Sequence, residues 1–212
     1  MSKVTWKGSV LLAPLPAVLV SCGSAEKPNI ITIGWTGVIC SKPPITYISV
    51  RPERYSYELI RSSGEFVINI PSSSMARKVD FCGIYTGAKV DKFARCNFTP
   101  QESVSVSCPG IAEAPLSLEC RVREIKEFGE DATHVMFIAD ILSVRAEESL
   151  LDESGRLCLE RAKPLGYSHG EYYEPGRFLG KIGFSTDKPG KKSGSVKGKP
   201  TDKPKKTAKT KE

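Results

Sequence analysis

Six short runs rich in β-branched and aromatic residues, each ended by Pro, Gly or Ser nearby, constrain this chain more than any other feature. They cover residues 17–22, 29–36, 45–51, 65–70, 116–125 and 134–144, with partial alternation of apolar and polar positions. Stiff side chains at a period near two are what a pleated, half-buried surface selects. Two helices are predicted beside them. One spans 56–62 and is closed by Gly64; the other begins near Ser73 or Ser74, whose hydroxyls suit a helix cap, and carries 75–81. Strands outnumber helices and do not alternate with them regularly, which argues against a doubly wound sheet. The fold class expected is mainly β: a closed or partly open antiparallel β-barrel with a few peripheral helices. At 212 residues the chain suffices for one such domain with a sizeable core, and it has no internal repeat.

The net charge of +7 is misleading until it is located. Residues 186–212 carry ten Lys and three acidic side chains, which is the whole excess, so the remainder is neutral. That tail has no aromatic residue and one aliphatic side chain larger than alanine, Val196. It can bury too little apolar surface to offset the entropy of ordering. The expected division is a folded domain over 1–185 and a disordered Lys-rich tail over 186–212. Nucleic acid is not an expected partner of the domain. The tail is left with at most a weak, salt-sensitive contact to nucleic acid, acidic partners or anionic lipid.

Seven cysteines, at 22, 40, 82, 96, 108, 120 and 158, contain no CxxC pair and no Cys/His spacing suited to zinc. With only His134 and His169 present, a His-rich metal centre is excluded and no metal is expected. Reduced thiols and a cytoplasmic location fit this pattern. Near the N-terminus, Lys3 and Lys7 precede an apolar stretch over 10–20, and Leu19-Val20-Ser21-Cys22 resembles a lipoprotein cleavage box. Pro14 and Pro16 interrupt it, and 17–22 reads well as a strand, which is the favoured reading. No other stretch approaches the roughly 20 apolar residues that span a bilayer, so no membrane is expected.

None of the GxGxxG, P-loop or HExxH signatures is present. What remains is a set of polar, glycine-containing strand ends. In ITIGWTG (31–37), Gly34 and Gly37 let backbone approach a flat ligand, and the hydroxyls of Thr32 and Thr36 suit its polar edge; a strand entering a turn is the plain alternative. In SVRPERYSYELI (49–60), Arg51, Arg54, Tyr55 and Ser56 gather at a helix start. Free N–H groups, the helix dipole and guanidinium forks there suit a phosphate, with a solvated basic turn as the alternative. DFCGIYTGAKVDKF (80–93) reads as a Gly-rich loop with Cys82, Lys89 and Lys92, and equally as ordinary surface. His134, in THVMFIAD, is by default a hydrogen-bonded core or interface histidine.

In order along the chain come PAVLVSCGSAEKPNIITIGWTG, the Ser41-Lys42-Pro43-Pro44 turn before ITYISVR, and GEFVINIP. CGIYTGAKVDKF, THVMFIADI and KPLGYSHGEYYEPGRFLGKIG follow. The ordered set, over residues 14–184, resembles the flavin reductase-like family, and within it the flavoredoxins. The family also includes the flavin reductase partners of two-component monooxygenases. The resemblance implies an FMN-binding split barrel, usually a homodimer, with FMN held non-covalently near the subunit interface. It implies that the strand carrying Thr32, Gly34, Trp35 and Thr36 flanks the isoalloxazine. Ser49 and Arg51 would lie toward the ribityl chain and phosphate, joined by Tyr55 and Ser56. Cys82, Gly83, Lys89, Lys92 and Phe93 would close over the cofactor, and His134 would sit near the interface or the nicotinamide side. The Arg51-Pro52-Glu53-Arg54 loop and the tail have no place in this carry-over. The function implied is an FMN oxidoreductase that takes electrons from NAD(P)H or a protein donor and passes them to flavin, a metal or a protein, a monooxygenase among them. A non-catalytic FMN module or redox sensor is the alternative. In either case the flavin carries the chemistry, so the protein need not supply an acid, a base or a nucleophile, with His134 the one side chain considered for a catalytic part.

Overall fold

The computed structural model describes residues 1–186 and divides into two units, Met1–Gly176 and a second from Arg177 onward. Of the second unit, the described part ends in a 3-10 turn over Phe184–Thr186. The Lys-rich segment expected to be disordered lies, beyond Thr186, outside the described residues.

Fifteen elements follow in chain order. They are β1 (Leu15–Pro16), β2 (Val18–Gly23), β3 (Pro28–Ile33), β4 (Thr36–Ser41), β5 (Pro44–Val50), α1 (Tyr55–Ser63), β6 (Glu65–Ile70) and α2 (Ala76–Ile84). After them come α3 (Lys92–Cys96), β7 (Pro100–Gln101), β8 (Gly110–Ile111), β9 (Leu116–Lys126), β10 (Val135–Ala146), β11 (Gly166–Ser168) and β12 (Glu171–Tyr173).

Strand β2 shows why its sequence reads as an unbroken apolar run. Val18, Val20 and Cys22 point into one core with Ile31, Ile48, Phe66 and Phe137. Ala17, immediately before it, and Leu19 point into a second, with Ile30, Val79, Phe93 and Ile111. A strand buried on both faces needs no polar alternation. Each large side chain fully removed from water contributes about 1.5–3 kcal/mol, and Phe66, Phe137, Leu19 and Ile30 are all in that state.

Seven strands form one antiparallel sheet in the order β3-β2-β6-β9-β10-β5-β4. The edge strands β3 and β4 are consecutive in the chain and separated only by Gly34-Trp35. The Ser49 N–H of β5 donates to the Trp35 carbonyl at 2.8 Å. The sheet therefore curls until β3 meets β5, giving a barrel with one seam. Register shifts between Ile138 and Ala139, and between Ile141 and Ser143, bend the long β9–β10 pair into this curve. Helices α2 and α3 pack on the outer side of β3 and enclose the second core.

The run expected as one strand over 29–36 is two strands. Gly34-Trp35 interrupts the ladder, and Thr36 pairs with Ile48 instead of continuing beside β2. The first helix extends over Tyr55–Ser63 and ends at Gly64 in the left-handed region (φ 69°), as glycine favours. The second departs from expectation: neither Ser73 nor Ser74 caps it. A 3-10 turn over Ser73–Met75 leads into α2, while the Ser73 hydroxyl donates to Glu174 at 2.6 Å. The expected loop over 80–93 contains the end of α2 and the start of α3, whose first turn is capped by Asp91 Oδ1 accepting from the Ala94 N–H at 3.0 Å. Among the described residues no helix is long and apolar enough to cross a membrane.

Candidate functional site

The seam of the barrel is also a concavity. A cavity of about 220 Å³ is lined by Thr32 and Ile33 of β3, the Gly34-Trp35 junction, Ser49 and Val50 of β5, Arg51, Arg54 and His134. A second, of about 160 Å³, shares Ile31, Arg51 and Arg54 with it and is closed by Glu53, Tyr55, Ser56, Cys82, Gly83, Tyr85, Thr86, Gly87 and Lys92. A third, of about 180 Å³, shares Thr32, Gly34 and Trp35 with the first and is walled by Asp80, Tyr167 and Tyr172. The shared walls make these one groove across the end of β3.

One end of the groove is flat and aromatic. Trp35 and His134 are stacked, and Trp35 lies beside Tyr167 with ring centroids 6.5 Å apart. His134 Nδ1 is 2.8 Å from the Thr133 hydroxyl. Burial, aided by the positive charge of Arg51, holds the imidazole below its usual range, so it is neutral at neutral pH. The Thr32 hydroxyl donates to the Val79 carbonyl, tying β3 to α2.

The other end gathers cations at a helix start. No side chain caps α1, so the first N–H groups of that helix, at Tyr55 and Ser56, are left for an external acceptor. Arg51 makes only an exposed 3.6 Å ion pair with Glu53, which is cheap to break. Arg54 Nη1 reaches the Gly83 carbonyl at 3.4 Å. Lys92 is buried, and its Nζ donates to the carbonyls of Ile30 (2.7 Å) and Cys82 (2.8 Å). One of its three N–H groups remains. Behind them Asn29 Nδ2 donates to Ser56 Oγ at 2.7 Å. Gly87 closes the wall so tightly that a Cβ there would stand 2.0 Å from Asn29 Oδ1 and 2.8 Å from Tyr55 Cδ1.

Of the residues singled out in the sequence, Thr32, Gly34, Trp35, Ser49, Arg51 and His134 line the first cavity, and Tyr55, Ser56, Cys82, Gly83 and Lys92 the second. Three others do not line the groove. The Thr36 hydroxyl is buried and donates to the Tyr47 carbonyl at 2.6 Å. Lys89 is exposed on the α2–α3 connection, and Phe93 is turned into the second core. Chain proximity put them beside the site; the courses of β4, the α2–α3 connection and α3 carried them away. Arg54 lines both of the first two cavities, and the sequence marked it at the helix start without carrying it into the site. Gly87 had a signal in its Thr-Gly dipeptide, whereas Tyr167 and Tyr172, of the distant β11–β12 hairpin, fall in the KPLGYSHGEYYEPGRFLGKIG motif but carried no mark as site residues.

The family model for the flavin reductase like domain matches residues 11–176. The chain belongs to this family. Among solved structures, this flavin reductase-like chain is similar to the flavoredoxin of Desulfovibrio vulgaris (Miyazaki F), with 32% identity and a TM-score of 0.80, covering 88% of this chain and 100% of that one. It is similar to the flavoredoxin of Methanosarcina acetivorans at 29% identity and a TM-score of 0.79, covering 87% and 97%. An FMN-binding protein from Thermus thermophilus shares the fold at 23% identity and a TM-score of 0.68, covering 85% and 100%. The split-barrel architecture and the family expected from the ordered motifs are those found.

Proposed function

We propose that this flavin reductase-like chain holds FMN non-covalently in the seam groove and acts as an oxidoreductase. It takes electrons from a reduced nicotinamide or a protein donor and passes them to flavin, a metal or a protein acceptor. One observation carries this reading: a flat slot beside Trp35 and His134 runs into an anion site made of Arg51, Arg54 and the uncapped start of α1. A flavin mononucleotide has those two ends in that order.

When bound, FMN would supply the hydride and electron chemistry. The chain's own residues bind and orient. Arg51, Arg54 and the Tyr55 and Ser56 N–H groups would hold the phosphate, with the remaining Lys92 N–H in reach of the same end. Gly34 gives backbone access to the flat ring, and Thr32 and Ser49 offer oxygen atoms to its polar edge. His134, neutral, adds no positive charge of its own beside Arg51. Tyr167 and Tyr172 wall one side against water. The missing side chain at Gly87 supports the fit, since a Cβ would displace the Asn29–Ser56 pair behind the anion end.

Two further features support the expected company of the protein. The edge strand β4 exposes Val38 (77%) and Ile39 (50%), an unpaired apolar edge suited to coverage by a second copy in a homodimer. Seven free cysteines suit a reducing, cytoplasmic compartment.

The test is an absorbance spectrum of the purified protein with added FMN, followed by anaerobic NADH and then NADPH. Rapid bleaching by either identifies a reductase and its donor. Bleaching only by dithionite or a protein donor identifies a carrier or sensor. Failure to take up FMN overturns the reading.

A further inference from the structure

Two sulfur atoms meet in the wall behind the groove. Cys82 of α2 and Cys96 of α3 lie with Sγ atoms 3.8 Å apart, brought together by the packing of the two helices in the second core. Their surroundings differ. Cys82 is fully buried at 0% exposure, whereas Cys96, at 6%, lines an open cavity of about 610 Å³ on the outer side of α2. That cavity is rimmed by Arg77, Lys78 and Arg95 and contains no acidic residue. None of the three cations is in an ion pair among the described residues. The cavity gives a small oxidant a route to the Cys96 side of the pair.

We propose that Cys96 and Cys82 form a peroxide-reactive dithiol, with Cys96 the residue attacked through the basic cavity and Cys82 the residue that resolves it. Cys96 gives up its thiol proton as its sulfur attacks one oxygen of hydrogen peroxide. An S–O bond forms, the O–O bond breaks, and the departing hydroxide takes a proton to become water. The Cys82 thiol then attacks the sulfenic sulfur. An S–S bond forms, the S–O bond breaks, and the second hydroxide leaves as water with the thiol's proton. Two thiols and one peroxide give one disulfide and two waters: sulfur is oxidised and peroxide oxygen reduced. The sulfurs close from their present contact to about 2.05 Å, the length of the bond.

The order of roles follows from burial. Desolvation pushes the Cys82 thiol up to about 12, reinforced by Cys96 beside it, so Cys82 is a poor first nucleophile. Cys22, Cys108 and Cys120 are also buried and pushed up, to about 11, 12 and 12, and none has a second cysteine sulfur in contact. Cys40 is more exposed and Cys158 is buried, and neither has a second cysteine sulfur in contact, so among the described residues the pair is distinguished from the other thiols by its partner. The inference is independent of the flavin reading, because neither sulfur needs a cofactor for this step.

The experiment uses the full chain, exposed to hydrogen peroxide in buffer and then alkylated in denaturant. Intact mass and peptide mapping read the outcome. The expected result is the loss of two hydrogen atoms, two fewer alkylated thiols than the seven present before exposure, and a cross-linked peptide joining Cys82 to Cys96 that dithiothreitol releases. In Cys82→Ala, dimedone labels Cys96; in Cys96→Ala, it does not label Cys82. No mass change short of unfolding, a cross-link between other cysteines, or dimedone on Cys82 in Cys96→Ala would each overturn the proposal. The wild-type map is decisive even where a variant folds poorly.

Discussion

Trp35 and His134 stack almost parallel, with ring centroids 5.9 Å apart and 9° between the ring planes. Trp35 sits in the two-residue junction that splits β3 from β4, and His134 immediately precedes β10, so the stack joins the seam to the opposite side of the groove. Its strength depends on the charge of the imidazole. The folded protein holds His134 below its ordinary value of 6.5, through burial first and Arg51 second. The unfolded chain then takes up a proton before the folded one does as pH falls. The neutral imidazole therefore contributes stability that is present above pH 6.5 and lost as pH falls through the lower folded value. In urea titrations across this range, His134→Asn is expected to lose less stability on acidification than wild type. Parallel pH profiles for the two proteins would remove His134 as the source.

In the proposed mode of FMN binding, Arg51 holds the phosphate and not the ring. A charge-assisted phosphate contact is worth about 1.5–3 kcal/mol, or roughly ten- to a hundredfold in affinity. Arg51→Ala is expected to weaken FMN by that factor while leaving riboflavin, which lacks the phosphate, nearly unchanged. The ion pair with Glu53 is exposed and its loss costs little. Fluorescence titration with both ligands checks this; equal losses would place Arg51 away from the phosphate.

Gly87 is a steric requirement of the anion end. In Gly87→Ala the new methyl collides with Asn29 and Tyr55 and forces Asn29 off Ser56. Overpacking of this kind costs about 1–3 kcal/mol of stability. FMN affinity is expected to fall with it, and Asn29→Ala in the same chain is expected to restore part of the stability by making room. Thermal melts of the single and double variants test the coupling.

Several buried polar groups converge on Asn69. Its Nδ2 donates to the Leu19 carbonyl at 3.1 Å and Ser21 Oγ at 3.0 Å, and its Oδ1 accepts from the Ile111 N–H and the Ser117 hydroxyl, each at 2.9 Å. Asn69→Ala orphans these groups in the interior, at about 1–3 kcal/mol for each that finds no new partner. A fall of about 3 kcal/mol in urea unfolding is expected, with the denaturant slope unchanged. Asn69→Asp, which keeps the acceptor but loses the donors, is expected to be no milder.

The barrel was legible where a run of residues answered to one surface. Residues 65–70 coincide with β6, and 45–51, 116–125 and 134–144 mark β5, β9 and β10 closely, because period two and branched side chains are local properties. The break at Gly34-Trp35 was less legible. ITIGWTG carries strand formers on both sides, and only the change of partner, from Leu19 at Thr32 to Ile48 at Thr36, divides it. The glycines of 80–93 point to a loop, yet Gly83 is accommodated within α2, close against Thr32.

By itself the sequence determined the class of fold, most strand positions, the glycine that ends α1 and the ordered motifs that belong to the flavin reductase-like family. Those properties depend on residues near one another in the chain or on their order. Only the tertiary structure decided which candidates share a cavity. It joined Trp35 to His134 and Arg51 to Lys92, turned Phe93 and Thr36 inward, left Lys89 outside, and set Cys82 against Cys96. Each of those outcomes depends on where strands pair and helices pack, and a side chain's direction is set by that packing and not by its neighbours in sequence.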